Sequence, residues 1–305
     1  MQPAASRKAY AAALLTALII GFSFLFVKIA LQTADPLDIL AYRFALSFAA
    51  ASLFAFPGRD VLKKGLPAIV GTLPLAALYP VLFFTFQTFG LLYASSAEAG
   101  MIQGAVPVFT LVLAALTLGE RTGAAQKFFT LLAVLGVACL FAGRTGTVFS
   151  ASLLGILLIL GSALSQAGYN VLARRMTRTR SPKELTYFMN LLGFVFFGLL
   201  AFGRHLLNGS LPELIAPLAS PSFIFAVVYL GVLSSLVTSY LSNYALSRLE
   251  ASRMSVFGSL SAVVALAAGA LLLGEELRPA ALIGAAAILA GVIGAALSGK
   301  RKREA

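Results

Sequence analysis

Residues 98 to 120, Glu98-Ala-Gly-Met-Ile-Gln-Gly-Ala-Val-Pro-Val-Phe-Thr-Leu-Val-Leu-Ala-Ala-Leu-Thr-Leu-Gly-Glu120, form a nearly unbroken apolar run that is long enough to cross a bilayer and recurs later in the chain. The second copy runs from Arg253 to Glu275. Both copies close on Leu-Gly-Glu, at Leu118, Gly119 and Glu120 and again at Leu273, Gly274 and Glu275. Both also lead into a Gly-Val step, Gly136-Val137 and Gly291-Val292, so the offset is 155 residues throughout (275 − 120 and 291 − 136). Self-similarity at half the chain length predicts two structural repeats.

With 60% hydrophobic and 11% charged residues over 305 positions, the chain has too few charges to solvate a soluble globule, and lipid is its solvent. Only helices and closed barrels satisfy their backbones in lipid. The apolar runs here are about 20 residues long, whereas barrel strands are alternating segments of about 10, so the prediction is all-helical. The net charge of +12 comes without a basic stripe interleaved with aromatics, which argues against a nucleic-acid partner. Cys139 is the single cysteine and cannot form an internal disulfide. The run after Arg7 and Lys8 continues to Leu31 without a cleavage site, so it reads as a retained first span.

Charge and Pro/Gly punctuation divide the chain into ten predicted spans: about 9 to 31, 36 to 56, 67 to 91, 96 to 118, 123 to 142, 151 to 173, 184 to 203, 222 to 246, 252 to 273 and 279 to 298. With both termini cytoplasmic, the inner segments collect most of the Lys and Arg, whereas the outer loops hold only Arg144, Arg204 and Arg278. Five spans per repeat is an odd number, so the second half must enter the membrane from the opposite side. The fold class predicted is therefore an all-α polytopic membrane protein with two inverted five-helix repeats. The boundaries are 1–148 for the first repeat and 149–298 for the second, with a basic tail over 299–305. Lys28 aligns with Arg174 and Pro36 with Pro182 at an offset of 146, and the Arg204 to Pro221 loop supplies the nine extra residues (155 − 146).

Two inverted five-helix halves, each closing its fourth helix on Leu-Gly-Glu, resemble the EamA branch of the drug/metabolite transporter superfamily. The resemblance covers roughly residues 9 to 298. Pro107 to Glu120 is similar to the family's Pro…Leu-Gly-Glu segment, while Ala262 stands where the second half would carry that proline. The resemblance implies a central cavity lined by the first, third, fourth, sixth, eighth and ninth helices, with the fifth and tenth at the periphery. It also implies transport, without naming the solute.

Polar side chains in membrane helices turn away from lipid, so their spacing shows which face looks inward. The eighth span repeats Gly231, Ser235, Thr238, Ser239 and Ser242 at helical spacing, broadened by Tyr240 and Asn243. The candidate substrate-binding residues are Ser23, Tyr79, Phe83, Gln87, Gln103, Gln166, Tyr169, Asn170, Ser239, Tyr240, Asn243 and Ser259. Close helix packing is the competing reading for the small residues. Amides such as Gln103 and Gln166 are too large for a tight seam and too polar for lipid.

Lys28, Arg43 and Glu98 lie toward the outer ends of their spans, with Asp35 and Asp38 nearby, and form a candidate outer gate, a charged cluster that breaks when the outer mouth opens; in the static reading Lys28 snorkels and Arg43 pairs with Asp38 or Glu98. Glu120 and Glu275 are expected to cap or tether helix ends. His205 is expected in a solvated outer loop. The sequence contains no metal-ligand cluster, nucleophile motif or phosphate loop, so neither cofactor nor enzymatic activity is expected.

A cavity without Lys or Arg disfavours phosphorylated solutes, and one without a midplane carboxylate disfavours proton-coupled cation or multidrug efflux. The remaining expectation is export of a neutral or zwitterionic solute by alternating access, probing amino acids first and aromatic or large apolar ones among them. The setting would be a bacterial inner membrane, the partners the solute and the bilayer, and the state a monomer, with a dimer as the alternative. A non-transporting receptor or scaffold is the contrasting class.

Overall fold

The structure is a computed structural model that describes residues 3–55, 65–94, 96–120, 122–141, 153–264, 267 and 279–298. Its elements in chain order are α1 (Pro3–Leu31), α2 (Pro36–Ala50), α3 (Gly65–Val70), α4 (Leu73–Ala76), α5 (Phe83–Tyr93), α6 (Ser96–Gln103), α7 (Val106–Leu118) and α8 (Ala124–Phe141). The second half of the chain continues with α9 (Leu153–Met176), α10 (Pro182–Asn208), α11 (Leu211–Ile215), α12 (Pro221–Val228), α13 (Thr238–Leu246), α14 (Ala251–Gly258) and α15 (Pro279–Ser298).

Among the described residues, six helices are long and apolar enough to cross a membrane: Arg7–Leu31, Pro36–Leu53, Leu73–Tyr93, Leu153–Met176, Pro182–Asn208 and Pro221–Leu246. They coincide with the predicted first, second, third, sixth, seventh and eighth spans. Shorter apolar helices cover Val106–Leu118, Ala124–Cys139 and Leu282–Ser298. Leucines such as Leu116, Leu199 and Leu207 point outward, where lipid tails would receive them.

Local chemistry sets the helix ends. Proline opens α2, α10 and α12 at the first helical position, where its missing N–H leaves nothing unpaired. At α10 the Ser181 hydroxyl accepts from the Glu184 amide at 3.2 Å, the first part of a capping box. Gly119 ends α7 with φ +62°, a left-handed turn that favours glycine. That turn lets Glu120 reach across to the start of α14, where its carboxylate accepts from the Ala251 amide at 2.9 Å and the Ser252 hydroxyl at 2.8 Å. The first Leu-Gly-Glu therefore ends one helix and caps another, as expected of Glu120. Leu273, Gly274 and Glu275 lie outside the described residues.

Two spans loosen into π-helical turns midway. In the third span the segment Ala77–Leu82 joins α4 to α5, with Pro80 inside it and Tyr79 out of helical geometry at φ −146° and ψ 112°. In the eighth span Tyr229–Val237 joins α12 to α13. The two segments end 155 residues apart (237 − 82), the offset of the Leu-Gly-Glu copies.

The helices pair across the two halves of the chain. In α2 against α10, Asp38 meets Arg204, Phe44 meets Phe197 and Ser47 meets Asn190, so the two run antiparallel. The third span runs antiparallel to α9, with Tyr93 near Gly155, Gly90 near Ile159 and Tyr79 on Tyr169. The first span does the same with the eighth, through Ile19 to Tyr229 and Phe26 to Phe225. In α8 against α15, a Cβ on Gly136 would meet the Gly284 carbonyl oxygen at 2.8 Å, and one on Gly291 would meet the Ala133 backbone nitrogen at 2.7 Å. Glycine there permits backbone-to-backbone approach, the usual means of packing helices where lipid offers no hydrophobic driving force.

Two expectations need correction. The third span does not begin continuously at 67: α3 stops at Val70, and Gly71 and Thr72 form a turn before α4. Arg180 crosses there and donates to the Ala68 carbonyl at 2.8 Å and the Thr72 hydroxyl at 2.9 Å. His205 is not in a solvated loop. Helix α10 runs on to Asn208 and ends at Gly209, which leaves His205 helical and only 2% exposed. Its Nε2 lies 3.1 Å from both Asp38 oxygens and its Nδ1 lies 2.8 Å from the Ser210 hydroxyl.

Candidate functional site

The cavity among the spans has a volume of about 70 Å³. Its walls come from α1 (Thr16, Ile20, Phe24), α5 (Phe83, Gln87), Gln103 of α6, Val106 of α7, α9 (Gln166, Asn170), Ser242 of α13, α14 (Met254, Ser255, Gly258) and Ser261. These elements belong to the six spans that the resemblance implied. None of the lining residues carries a charge.

The lining amides are held at defined orientations. Gln103 Nε2 donates to the Ser162 hydroxyl, which itself donates to the Ile159 carbonyl at 2.9 Å. Gln166 Nε2 donates to Asn170 Oδ1 at 3.2 Å, one helical turn on, and Asn170 Nδ2 reaches the Thr110 hydroxyl at 3.4 Å. Gln87 is 3% exposed and lines the same cavity. Together these groups present donors and acceptors without net charge beside two phenyl faces, a surface suited to a small polar solute with an apolar part.

Five candidates meet at this cavity: Phe83, Gln87, Gln103, Gln166 and Asn170. Two more support its wall from behind, where Tyr79 stacks on Tyr169 at 4.7 Å and Phe83 lies 5.0 Å from Tyr79. The Tyr169 hydroxyl donates to Asn243 Oδ1 at 3.0 Å, and Asn243 Nδ2 donates to Thr186 of α10 at 3.0 Å. Ser239 likewise faces α10, accepting from Asn190 at 3.3 Å. Part of the eighth-span polar stripe thus joins helices, leaving Ser242 to face the cavity. Ser23 is buried and donates to the Ile20 carbonyl of its own helix at 2.7 Å. Ser259 is buried outside the lining, and half-buried Tyr240 packs its ring 6.4 Å from Tyr244.

Two of the expected gate residues, Lys28 and Arg43, have side chains among the described residues. Lys28 Nζ donates to the Leu91 and Ala94 carbonyls at 2.7 and 3.0 Å. Arg43 does not pair with Asp38, because Arg204 and His205 already hold that carboxylate; Arg204 Nη2 lies 2.8 Å from Asp38 Oδ2 and Arg204 Nη1 lies 2.9 Å from Asp35. Arg43 is 1% exposed and bonds the Ser235 hydroxyl at 2.6 Å and the Ser234 hydroxyl at 2.8 Å. The Glu98 side chain lies outside the described residues.

Sequence reasoning did not select Thr16, Met254 or Ser261 for the wall. Thr16 sits in an otherwise apolar stretch of α1 and bonds the carbonyl one turn back, and Met254 resembles any core methionine. Ser261, two residues beyond Ser259, continues the serine run of the ninth span and offered the one usable cue.

The profile of the EamA-like transporter family matches residues 7–142 and again 153–297. The chain is 52% identical over 294 residues to the uncharacterized transporter YcxC of Bacillus subtilis, covering 96% of this chain and 94% of that protein. It is 28% identical over 295 residues, 94% of each chain, to a probable amino-acid metabolite efflux pump of Escherichia coli. It is also 28% identical over 204 residues to a probable terminal-alkyne amino-acid exporter of Streptantibioticus cattleyicolor, covering 67% of this chain and 65% of that one. One crystal structure superposes with a TM-score of 0.73 over 99% of both chains at 20% identity, a likeness of fold alone.

Proposed function

Since the chain belongs to the EamA-like transporter family, and is thus a multi-pass membrane transporter, we propose that it exports small neutral or zwitterionic metabolites, amino acids foremost. The observation that carries this reading is the cavity wall: amides from three spans, with hydroxyls and phenyl rings and no charged group. A wall without a carboxylate gives a cationic drug or a coupling proton nothing to bind. The names of the efflux pump and the amino-acid exporter support the same solute class.

The mechanism proposed is alternating access, with two inverted halves rocking about the cavity. Its support is reciprocal pairing: the third span packs antiparallel on the sixth as the first does on the eighth, and the π turns fall at matching places in the third and eighth. A 70 Å³ space holds roughly five to seven water molecules, so a large amino acid requires the walls to part. With no acid in the wall, facilitated export or exchange needs no proton. The chain would lie in the bacterial inner membrane with both termini cytoplasmic, following its Lys and Arg asymmetry.

Counterflow of radiolabelled amino acids in proteoliposomes, with and without a pH gradient, tests this reading. Counterflow at equal rates under both conditions is expected. Strong acceleration by the gradient would overturn facilitated transport, and no movement of any amino acid would overturn the solute class.

A further inference from the structure

The cavity wall carries no charge, yet a cation sits directly behind it. Arg43 is 1% exposed in the second span, and among the described residues no carboxylate pairs with it. Its partners are neutral: the Ser234 and Ser235 hydroxyls, the Ser234 carbonyl at 3.3 Å, and the face of Phe84, whose centroid lies 3.9 Å from the guanidinium carbon. Arginine remains charged at any physiological pH, so the charge is present in the folded protein. A buried cation without a counter-charge is costly, and in a membrane span such a group is a candidate for function.

The charge has a short line to the cavity. Phe84 touches Phe83 edge-to-face at 4.7 Å, and Phe83 forms part of the wall. The contacts that link guanidinium and cavity run through two phenyl rings, an apolar setting in which charge is weakly screened. The π-helical segment Tyr229–Val237 carries both serines and would move if the eighth span straightened.

We propose that Arg43 supplies the charge that recognises a carboxylate on the transported solute, so that this carrier selects carboxylate-bearing molecules and excludes cations that lack one. The inference rests on the transport reading above and adds the group that discriminates. The amides of the wall orient the solute by hydrogen bonds, and the positive potential from behind Phe83 and Phe84 favours its negative end on that side. Removal of the carboxylate leaves an amine that meets the same potential with the wrong sign.

The test compares L-phenylalanine, its carboxamide and phenethylamine, measured by equilibrium binding to purified protein and by counterflow in proteoliposomes. The wild-type protein should prefer the amino acid over both amines by at least about tenfold. Arg43→Gln should reduce that ratio to about twofold, and Arg43→Lys should retain most of it. If Arg43→Gln does not fold, Ser235→Ala serves instead: with one hydroxyl dipole removed from the guanidinium, its positive potential is less compensated and the preference for the amino acid over the amines should rise several-fold, and an unchanged ratio would count against the inference. Binding or movement of amine and amino acid alike by the wild type would overturn the inference and leave the transporter reading standing. Binding of carboxylates in preference to amines without any amino-acid counterflow would keep Arg43's role and overturn the export reading.

Discussion

The π-helical turn of the third span and that of the eighth end 155 residues apart, yet different chemistry holds them. Around Ala77–Leu82 the work is aromatic: Tyr79 stacks on Tyr169, and Phe83 and Phe84 pack against Tyr79 at 5.0 and 4.9 Å. Around Tyr229–Val237 a stack of Tyr229 on Phe26 at 4.1 Å is joined by polar contacts, two serine hydroxyls accepting from the buried guanidinium of Arg43. The first turn has a proline within it and the second has none. A shared backbone device therefore does not require shared residues. Because each turn frees main-chain groups from the regular ladder, each is a place where a long membrane helix can flex, and the side chains around it decide what the flexing responds to.

The largest effect that would sharpen this contrast is expected at Gly231, which stands one offset from Ala76 (231 − 155). A Cβ on Gly231 would meet the Arg43 carbonyl oxygen at 2.8 Å and Leu46 Cβ at 2.9 Å, so Gly231→Leu should lower stability by about 3 kcal/mol, read as thermal unfolding in detergent. Ala76→Gly, at the matching place, should lose only about 1 kcal/mol. Equal losses would mean that the two turns are packed alike. Next in size, Ser235→Ala leaves the Arg43 Nε without its 2.6 Å acceptor and should destabilise by about 2 kcal/mol. Around the aromatic turn, Tyr79→Leu gives up the ring stack on Tyr169, a loss of about 1.5 kcal/mol in the same assay. Smallest of these, Tyr169→Phe removes one hydroxyl bond to Asn243 and should cost about 1 kcal/mol. Should the aromatic substitutions prove more damaging than the polar one, the Arg43 side would be the looser of the two.

Much of the scaffold can be read from the residues because a membrane span declares itself by length and apolarity, without any long-range information. The Leu-Gly-Glu at 118 to 120 was readable in part: a glycine and an acid at a helix end are a local signal, whereas the amides that Glu120 reaches, 131 and 132 residues on, are not. Cavity residues were readable where a bulky amide made lipid and tight seams equally unsuitable, as with Gln87, Gln103 and Gln166. Partnerships were not. Asp38 and Arg204 stand 166 residues apart, and nothing near either one announces the other. His205 looked like a loop residue because Pro, Ser and Gly follow it within the next few positions, yet the helix continues three residues further to Asn208. The polar face of the eighth span divided between cavity and neighbouring helix because Thr186 and Asn190 present matching groups, a fact set by packing rather than by periodicity.

The carboxylate of Glu120 has a broader meaning for how this molecule comes to exist. Its acceptors are spent on amides that lie 131 and 132 residues downstream. During synthesis that carboxylate therefore has only water for a partner until the ribosome has delivered most of the later half, so this tie between the two halves is made late.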